Sequence, residues 1–146
     1  MARQGGRSSR RALTLVELLL ALLVLTVAGV GILGAYQHAL HLTEVSEQSG
    51  LALNDLKDMM EKIKSTPFTQ LTAVFPDGAV NGIVGGGPDQ YSAIVGGYSL
   101  VQEEITISHE PSPAADPREF IVEIAWTNRG RTYYRQLATM RASGAS

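Results

Sequence analysis

Few side chains in this 146-residue sequence have the types and spacing that chemistry needs. His38 and His41 stand three residues apart, on one face of a helix, as a two-ligand metal pair would. No third ligand is placed beside them, and His109 lies far along the chain, so they read instead as interfacial polar residues just outside a membrane. Glu103 and Glu104 are adjacent in an expected strand, point to opposite faces and so cannot share a proton. Gly85-Gly86-Gly87 lacks the Lys-Ser/Thr pair and the flanking strand and helix of a phosphate cradle, and reads as a flexible loop. No serine, histidine and acid are spaced recognisably for nucleophilic catalysis. Cysteine is absent, which excludes disulfides and thiolate metal or redox sites. Arg129, Arg131 and Arg135 share strand parity, as a solvated sheet edge or a DNA-contact strip would.

The charge balance favours the solvated edge. Residues 1–12 hold four arginines and no acid, whereas the rest of the chain holds eight basic against fourteen acidic groups. An acidic body does not bind nucleic acid by bulk electrostatics. Length fits one modest domain. Charged residues make up only 18% of the chain, and the mean hydropathy of +0.05 is high for a soluble protein. That apolar excess is concentrated: from Leu18 to Tyr36 no residue is charged.

A basic start followed by an apolar run can be a cleaved signal peptide, a membrane anchor or a buried core helix. The run exceeds the roughly 7–15 residues of a signal-peptide core. It is also apolar all round, unlike the one-sided helix of a soluble core. Residues 13–36 would form about 36 Å of helix, enough to cross a hydrocarbon layer of about 30 Å with some tilt. The arginines Arg3, Arg7, Arg10 and Arg11 keep the N-terminus cytoplasmic, and the first charges beyond the span, Glu44 and Glu47, are acidic. The body is therefore expected outside the cytoplasmic membrane. Glu17, at the edge of the apolar run, does not fit a plain anchor, because a carboxylate near lipid is costly and normally has a protein partner.

The stretch Arg11-Ala12-Leu13-Thr14-Leu15-Val16-Glu17-Leu18-Leu19-Leu20-Ala21-Leu22-Leu23-Val24 resembles the prepilin cleavage and methylation signal of type IV pilins and type II secretion pseudopilins. The resemblance covers about the first 30 residues. It implies that a prepilin peptidase removes the basic leader between Ala12 and Leu13, that Leu13 is then N-methylated, and that Glu17 stands fifth in the mature chain. Ala12 and Leu13 replace the Gly and Phe usual around the cut, and Ala12 keeps the small side chain that a tight protease pocket needs. The cut would leave a positive amine on Leu13 about 6 Å along the helix axis from Glu17. In an apolar surround, pairing Glu17 of one subunit with the N-terminus of the next supplies both counter-charges and sets the stagger between subunits.

The helical pattern continues past the span. Val45, Ser49, Ala52, Leu56, Met59 and Ile63 form one stripe at steps of four and three, while Glu47, Asp55, Asp58, Glu61 and Lys62 are assigned to other faces. Lys62 and Lys64 suit a helix C-terminus, and Pro67 stops the helix. A helix over residues 13–64 is expected, with Met59 and Met60 in the core. Residues 65–97, punctuated by Pro76-Asp77-Gly78, Asn81-Gly82 and Gly96-Gly97, read as an irregular connection with at most short strands. Three strands follow: Val101–Ile107, a cleanly alternating run through Phe120, Val122, Ile124 and Trp126, and Thr132–Thr139 after the Asn128-Arg129-Gly130 turn. A Pro-rich loop, Glu110–Pro117, joins the first two.

The fold class expected is α+β: a long N-terminal helix, membrane-spanning in its first half and amphipathic in its second, packed on a small antiparallel meander. The same layout is what the pilin resemblance implies. The domains expected are a leader over 1–12, an assembly helix over 13–36 and a periplasmic body over 37–146. By resemblance the chain is a minor pilin or pseudopilin, a structural subunit without catalytic residues, cofactor or metal. Its expected partners are prepilin peptidase, other pilin or pseudopilin subunits, the inner membrane and the assembly platform, with nucleic acid not among them. Three other readings stay open: a small I-like type II secretion pseudopilin, a DNA-uptake pilin, and a single-pass periplasmic anchor that never assembles.

Overall fold

A computed structural model describes residues 14–144. The chain divides at Leu42 and Thr43 into two compact units. Helix α1, Leu15–Ser65, contributes residues to both. It starts where Thr14 Oγ1 accepts the Glu17 amide at 3.2 Å and the Thr14 carbonyl accepts the Leu18 amide at 3.1 Å. A threonine followed three residues later by a glutamate is the sequence signature of a helix N-terminus. Leu13, where helix was expected to begin, lies outside the described residues.

In the first unit every leucine, valine, isoleucine and tyrosine from Leu15 to Leu42 is at least half exposed, from 51% at Leu22 to 75% at Leu15. The hydroxyl of Thr26, the one strongly polar side chain between Leu18 and Tyr36, donates to the Leu22 carbonyl at 2.7 Å. That bond satisfies the hydroxyl within the helix itself.

In the second unit α1 turns one-sided. Ala52, Leu56, Met59 and Ile63 are fully buried and Met60 nearly so, with Val45 and Ser49 half-buried at the start of the stripe. The expected stripe is therefore present. Asp55 departs from expectation: it is 8% exposed and belongs to the buried face. At i, i+4 from Met59 it shares that face with the core, and its polarity alone had assigned it to solvent.

The sheet is antiparallel in the order β1 (Glu104–Glu110), β2 (Arg118–Asn128), β3 (Arg131–Arg141). Ile105, Ile107 and His109 of β1 and Phe120, Val122, Ile124 and Trp126 of β2 face the core. Strand β1 begins three residues later than expected. Gln102 adopts φ +52°, and the Val101 carbonyl accepts the Thr127 amide at 2.9 Å, so the chain joins β2 by a turn before the ladder starts. The β2–β3 hairpin closes through Arg129 (φ +49°) and Gly130 (φ +76°), the two left-handed residues a tight hairpin of this twist requires.

Residues 66–103 are more helical than their turn residues indicated: a 3₁₀ turn at Phe68–Gln70 and the short helices α2, Leu71–Val74, and α3, Ser92–Val95. Strand content there is a single bridge, Val80 to Thr106. The Gly78 and Asn81 amides donate to the Ile107 and Ile105 carbonyls at 2.8 and 2.7 Å. The Asp77 and Asn81 side chains accept from the His109 and Ile105 amides at 2.8 and 2.7 Å. These bonds seal the outer edge of β1, which would otherwise template pairing with another chain. Gly82, at φ +69°, lies against the buried Tyr91: a Cβ there would stand 2.7 Å from the ring.

Candidate functional site

Two kinds of feature could carry function: the apolar part of α1 with Glu17 at its start, and the polar groups buried in the second unit. Glu17 lies in the first turn of α1, where a carboxylate is favoured by the amide groups at a helix N-terminus. Ala12 and Leu13, the expected cleavage and methylation positions, lie outside the described residues. Helix α1 is long and apolar enough to cross a membrane, and none of the side chains in its apolar stretch is buried within the chain.

His38 is exposed and His41 half-buried on α1. Among the described residues no group of three histidines, acids or cysteines has metal-binding geometry. The three arginines of the expected stripe do not act as one surface. Arg129 forms an ion pair with Glu44 at 2.8 Å. Arg135 donates to the Ser49 hydroxyl at 3.2 Å and stands 6.0 Å from the centre of the Trp126 ring. Only Arg131 of the three has no contact of this kind among those described. A fourth arginine, Arg141, reaches the end of α1, donating to the carbonyls of Lys64 at 2.6 Å and Thr66 at 3.3 Å. Arginines of β3 and of the turn before it thus bond to the second-unit part of α1, from Glu44 to its C-terminal end, and sequence parity could show their common face but not their partners.

Gln48 plays a similar part from the helix side. Its Oε1 accepts from the Trp126 indole at 3.1 Å and from the Asn128 amide at 2.8 Å. Trp126 also stacks on Tyr133 with ring centres 5.8 Å apart. The indole N–H is therefore satisfied although the ring is 1% exposed, as a buried tryptophan requires.

Four charged or titratable side chains that sequence reasoning did not place in the core are buried there. Arg118 is 4% exposed and lies over the rings of Phe68 and Phe120, 4.6 and 5.1 Å from their centres. It donates to the Pro113 carbonyl and to the Phe68 carbonyl. His109 is 3% exposed and stands edge-on to Phe120 at 4.5 Å. Burial lowers its proton affinity below the usual histidine range, and the Arg118 charge adds to that, against an opposing pull from Asp77. The third group is the Asp55 carboxyl, held beside the fourth, Glu103. Glu103 is 5% exposed, and its Oε2 accepts the Ser99 and Leu100 amides at 3.1 and 3.0 Å. Glu104 is exposed, so the two neighbouring glutamates do point apart, while Glu103 meets an acid 48 positions earlier in the chain.

No family model, curated protein or solved structure matches this chain. The class it defines rests on its own features: an α+β protein with one N-terminal helix long and apolar enough to cross a membrane.

Proposed function

We propose that the chain is a minor pilin or pseudopilin, a structural subunit inserted in the inner membrane by residues 13–36 and then assembled into a filament. The observation that carries this reading is the run of apolar side chains from Leu15 to Leu42 that stay half or more exposed. Such a surface needs lipid, neighbouring helices or both in turn. The Thr14-Leu15-Val16-Glu17 sequence at its start supports the pilin form of that reading, with Glu17 as counter-charge to the amine of a neighbouring subunit. The body would lie in the periplasm before assembly.

A second reading, a periplasmic anchor that never assembles, draws on the helix start: the Thr14–Glu17 bond and the favourable place of a carboxylate there account for Glu17 without a partner. One experiment separates them. The wild-type chain and Glu17→Leu are expressed beside their native partners and prepilin peptidase, with processing and recovery in sheared filaments measured separately. The filament reading expects cleavage between Ala12 and Leu13 and an N-methyl-leucine by mass spectrometry in both chains, with filament recovery lost in the variant. An intact Met1 terminus supports the anchor. Unchanged recovery of Glu17→Leu removes the charge-pairing role.

A further inference from the structure

We propose that Asp55 and Glu103 hold one proton between them, as a clamp that fastens residues 99–103 to α1 and loosens when the proton leaves. This inference does not depend on the filament reading. Asp55 and Glu103 are both more than nine-tenths buried, and each has one carboxylate oxygen, Oδ2 and Oε1, that meets no donor. Two buried carboxylates side by side cannot both stay ionised cheaply, and one proton satisfies both orphaned oxygens at once. Glu103 already uses Oε2 to accept two backbone amides. The proton is therefore assigned to Asp55, whose O–H donates to Glu103.

Among the described residues, the charged groups that act on Asp55 are both acids. On α1, Asp58 adds further negative charge to Asp55. On the facing segment Tyr98 lies within electrostatic reach of Glu103 and of Tyr91, and its hydroxyl donates to Asp89 at 2.8 Å. From the sheet, the exposed Glu104 lines the same polar cleft of about 430 Å³ as Glu103, with Asn81, Thr127 and Thr132. Through Glu103 the pair thus borders a cleft on the protein surface. Burial first, and then Glu103, push the Asp55 carboxyl up to about 6.

The direction follows from linkage. A carboxyl whose proton affinity is raised in the closed form stabilises that form at acid pH. The benefit falls as pH rises from about 4, the ordinary value, to about 6, and is gone above that. When the proton leaves to water, two carboxylates face each other and the segment that Glu103 holds is pushed from α1. The Ser99 and Leu100 amides, which donate to Glu103, report the opening directly.

The test is amide hydrogen exchange of the full chain in detergent micelles, with each rate corrected for intrinsic pH dependence. Between pH 4.5 and 7, protection at Ser99 and Leu100 is expected to fall on the order of tenfold or more, while the Ile124 amide in the central strand changes less. Asp55→Asn places a permanent donor where the carboxyl O–H stood, so its protection should stay high and flat across that range. Equal pH profiles in the wild-type and Asp55→Asn chains would overturn the clamp. So would a loss of the pH effect on adding calcium, reversed by chelator and absent in Asp55→Asn, because the pair would then hold a cation. If Asp55→Asn does not fold, Glu103→Gln supplies the same neutral partner from the other side. A profile in that variant as steep as the wild type's would overturn the proposal as well.

Discussion

Residues 15–42 and 43–65 belong to one helix, yet the first stretch leaves its large apolar side chains half or more exposed while the second buries Ala52, Leu56, Met59 and Ile63 completely. Helix propensity hardly distinguishes the two. The difference lies in the arrangement of polarity: apolar on all sides from Leu18 to Tyr36, apolar on one stripe from Val45 to Ile63. One stripe can be covered by a three-stranded sheet of the same chain. An apolar surface all round cannot, and among the described residues nothing covers it. Where hydrophobic area finds its partner thus decides which part of α1 helps to fold this chain and which part is left for association.

The largest test of that contrast compares a buried ring with an exposed leucine. Trp126 fills the core, stacks on Tyr133 and is bonded to Gln48. Trp126→Ala is expected to cost about 3–5 kcal/mol in denaturant unfolding of the full chain in detergent. Leu22→Ala removes a side chain that is half exposed, and the same unfolding transition should move by less than about 0.5 kcal/mol. Similar losses from the two variants would break the comparison. A Trp126→Ala transition that overlies the wild type's would mean the sheet presents a different face to α1.

Much of this architecture was legible in residue order. The period-two alternation of Phe120, Val122, Ile124 and Trp126 places the central strand, because a sheet covered on one face admits no other register without exposing all four. The Asn128-Arg129-Gly130 turn and the stripe from Val45 to Ile63 were legible for the same reason: local backbone geometry or a single helix face sets them. Asp55, Glu103, His109 and Arg118 were not. Their burial depends on partners tens of residues away, and polarity alone places each of them in water. The short helices α2 and α3 escaped because four residues carry too little periodicity to read. For the candidate site, sequence marks Glu17 and the apolar run, but a side chain's partner in another copy leaves no trace in one chain.

An opposite pH effect comes from His109. Its neutral ring is buried against Phe120, and burial holds its proton affinity below the ordinary value of 6.5. A group of this kind stabilises the fold above its ordinary pKa, and the contribution is lost as pH falls below that value. Asp55 acts in the other direction over part of the same range, so in the wild type the two contributions oppose each other between pH 5 and 6. In Asp55→Asn the histidine acts alone, and the melting temperature should fall as the solution is acidified. Adding His109→Leu should remove most of that fall. If the single and double variants show the same slope, protonation of His109 does not govern acid sensitivity and another group in the second unit must.

The smallest effect expected is at the ion pair of Glu44 and Arg129, close to the point where the two stretches of α1 meet. The contact is short, at 2.8 Å, but the two side chains are 64% (Arg129) and 41% (Glu44) exposed. Water screens such a pair, and ordering two long side chains offsets much of the attraction. A double-mutant cycle with Arg129→Ala and Glu44→Ala should therefore give a coupling of only about 0.2–0.5 kcal/mol, shrinking further in high salt. Arg141 shows the contrast: its guanidinium bonds to the carbonyls of Lys64 and Thr66, acceptors that the end of α1 would otherwise leave without a partner. A coupling above about 1 kcal/mol for Glu44 and Arg129 would put the start of the one-sided stretch under electrostatic control. A coupling near zero would leave the buried stripe, from Ala52 onward, to fix the body on α1 by packing.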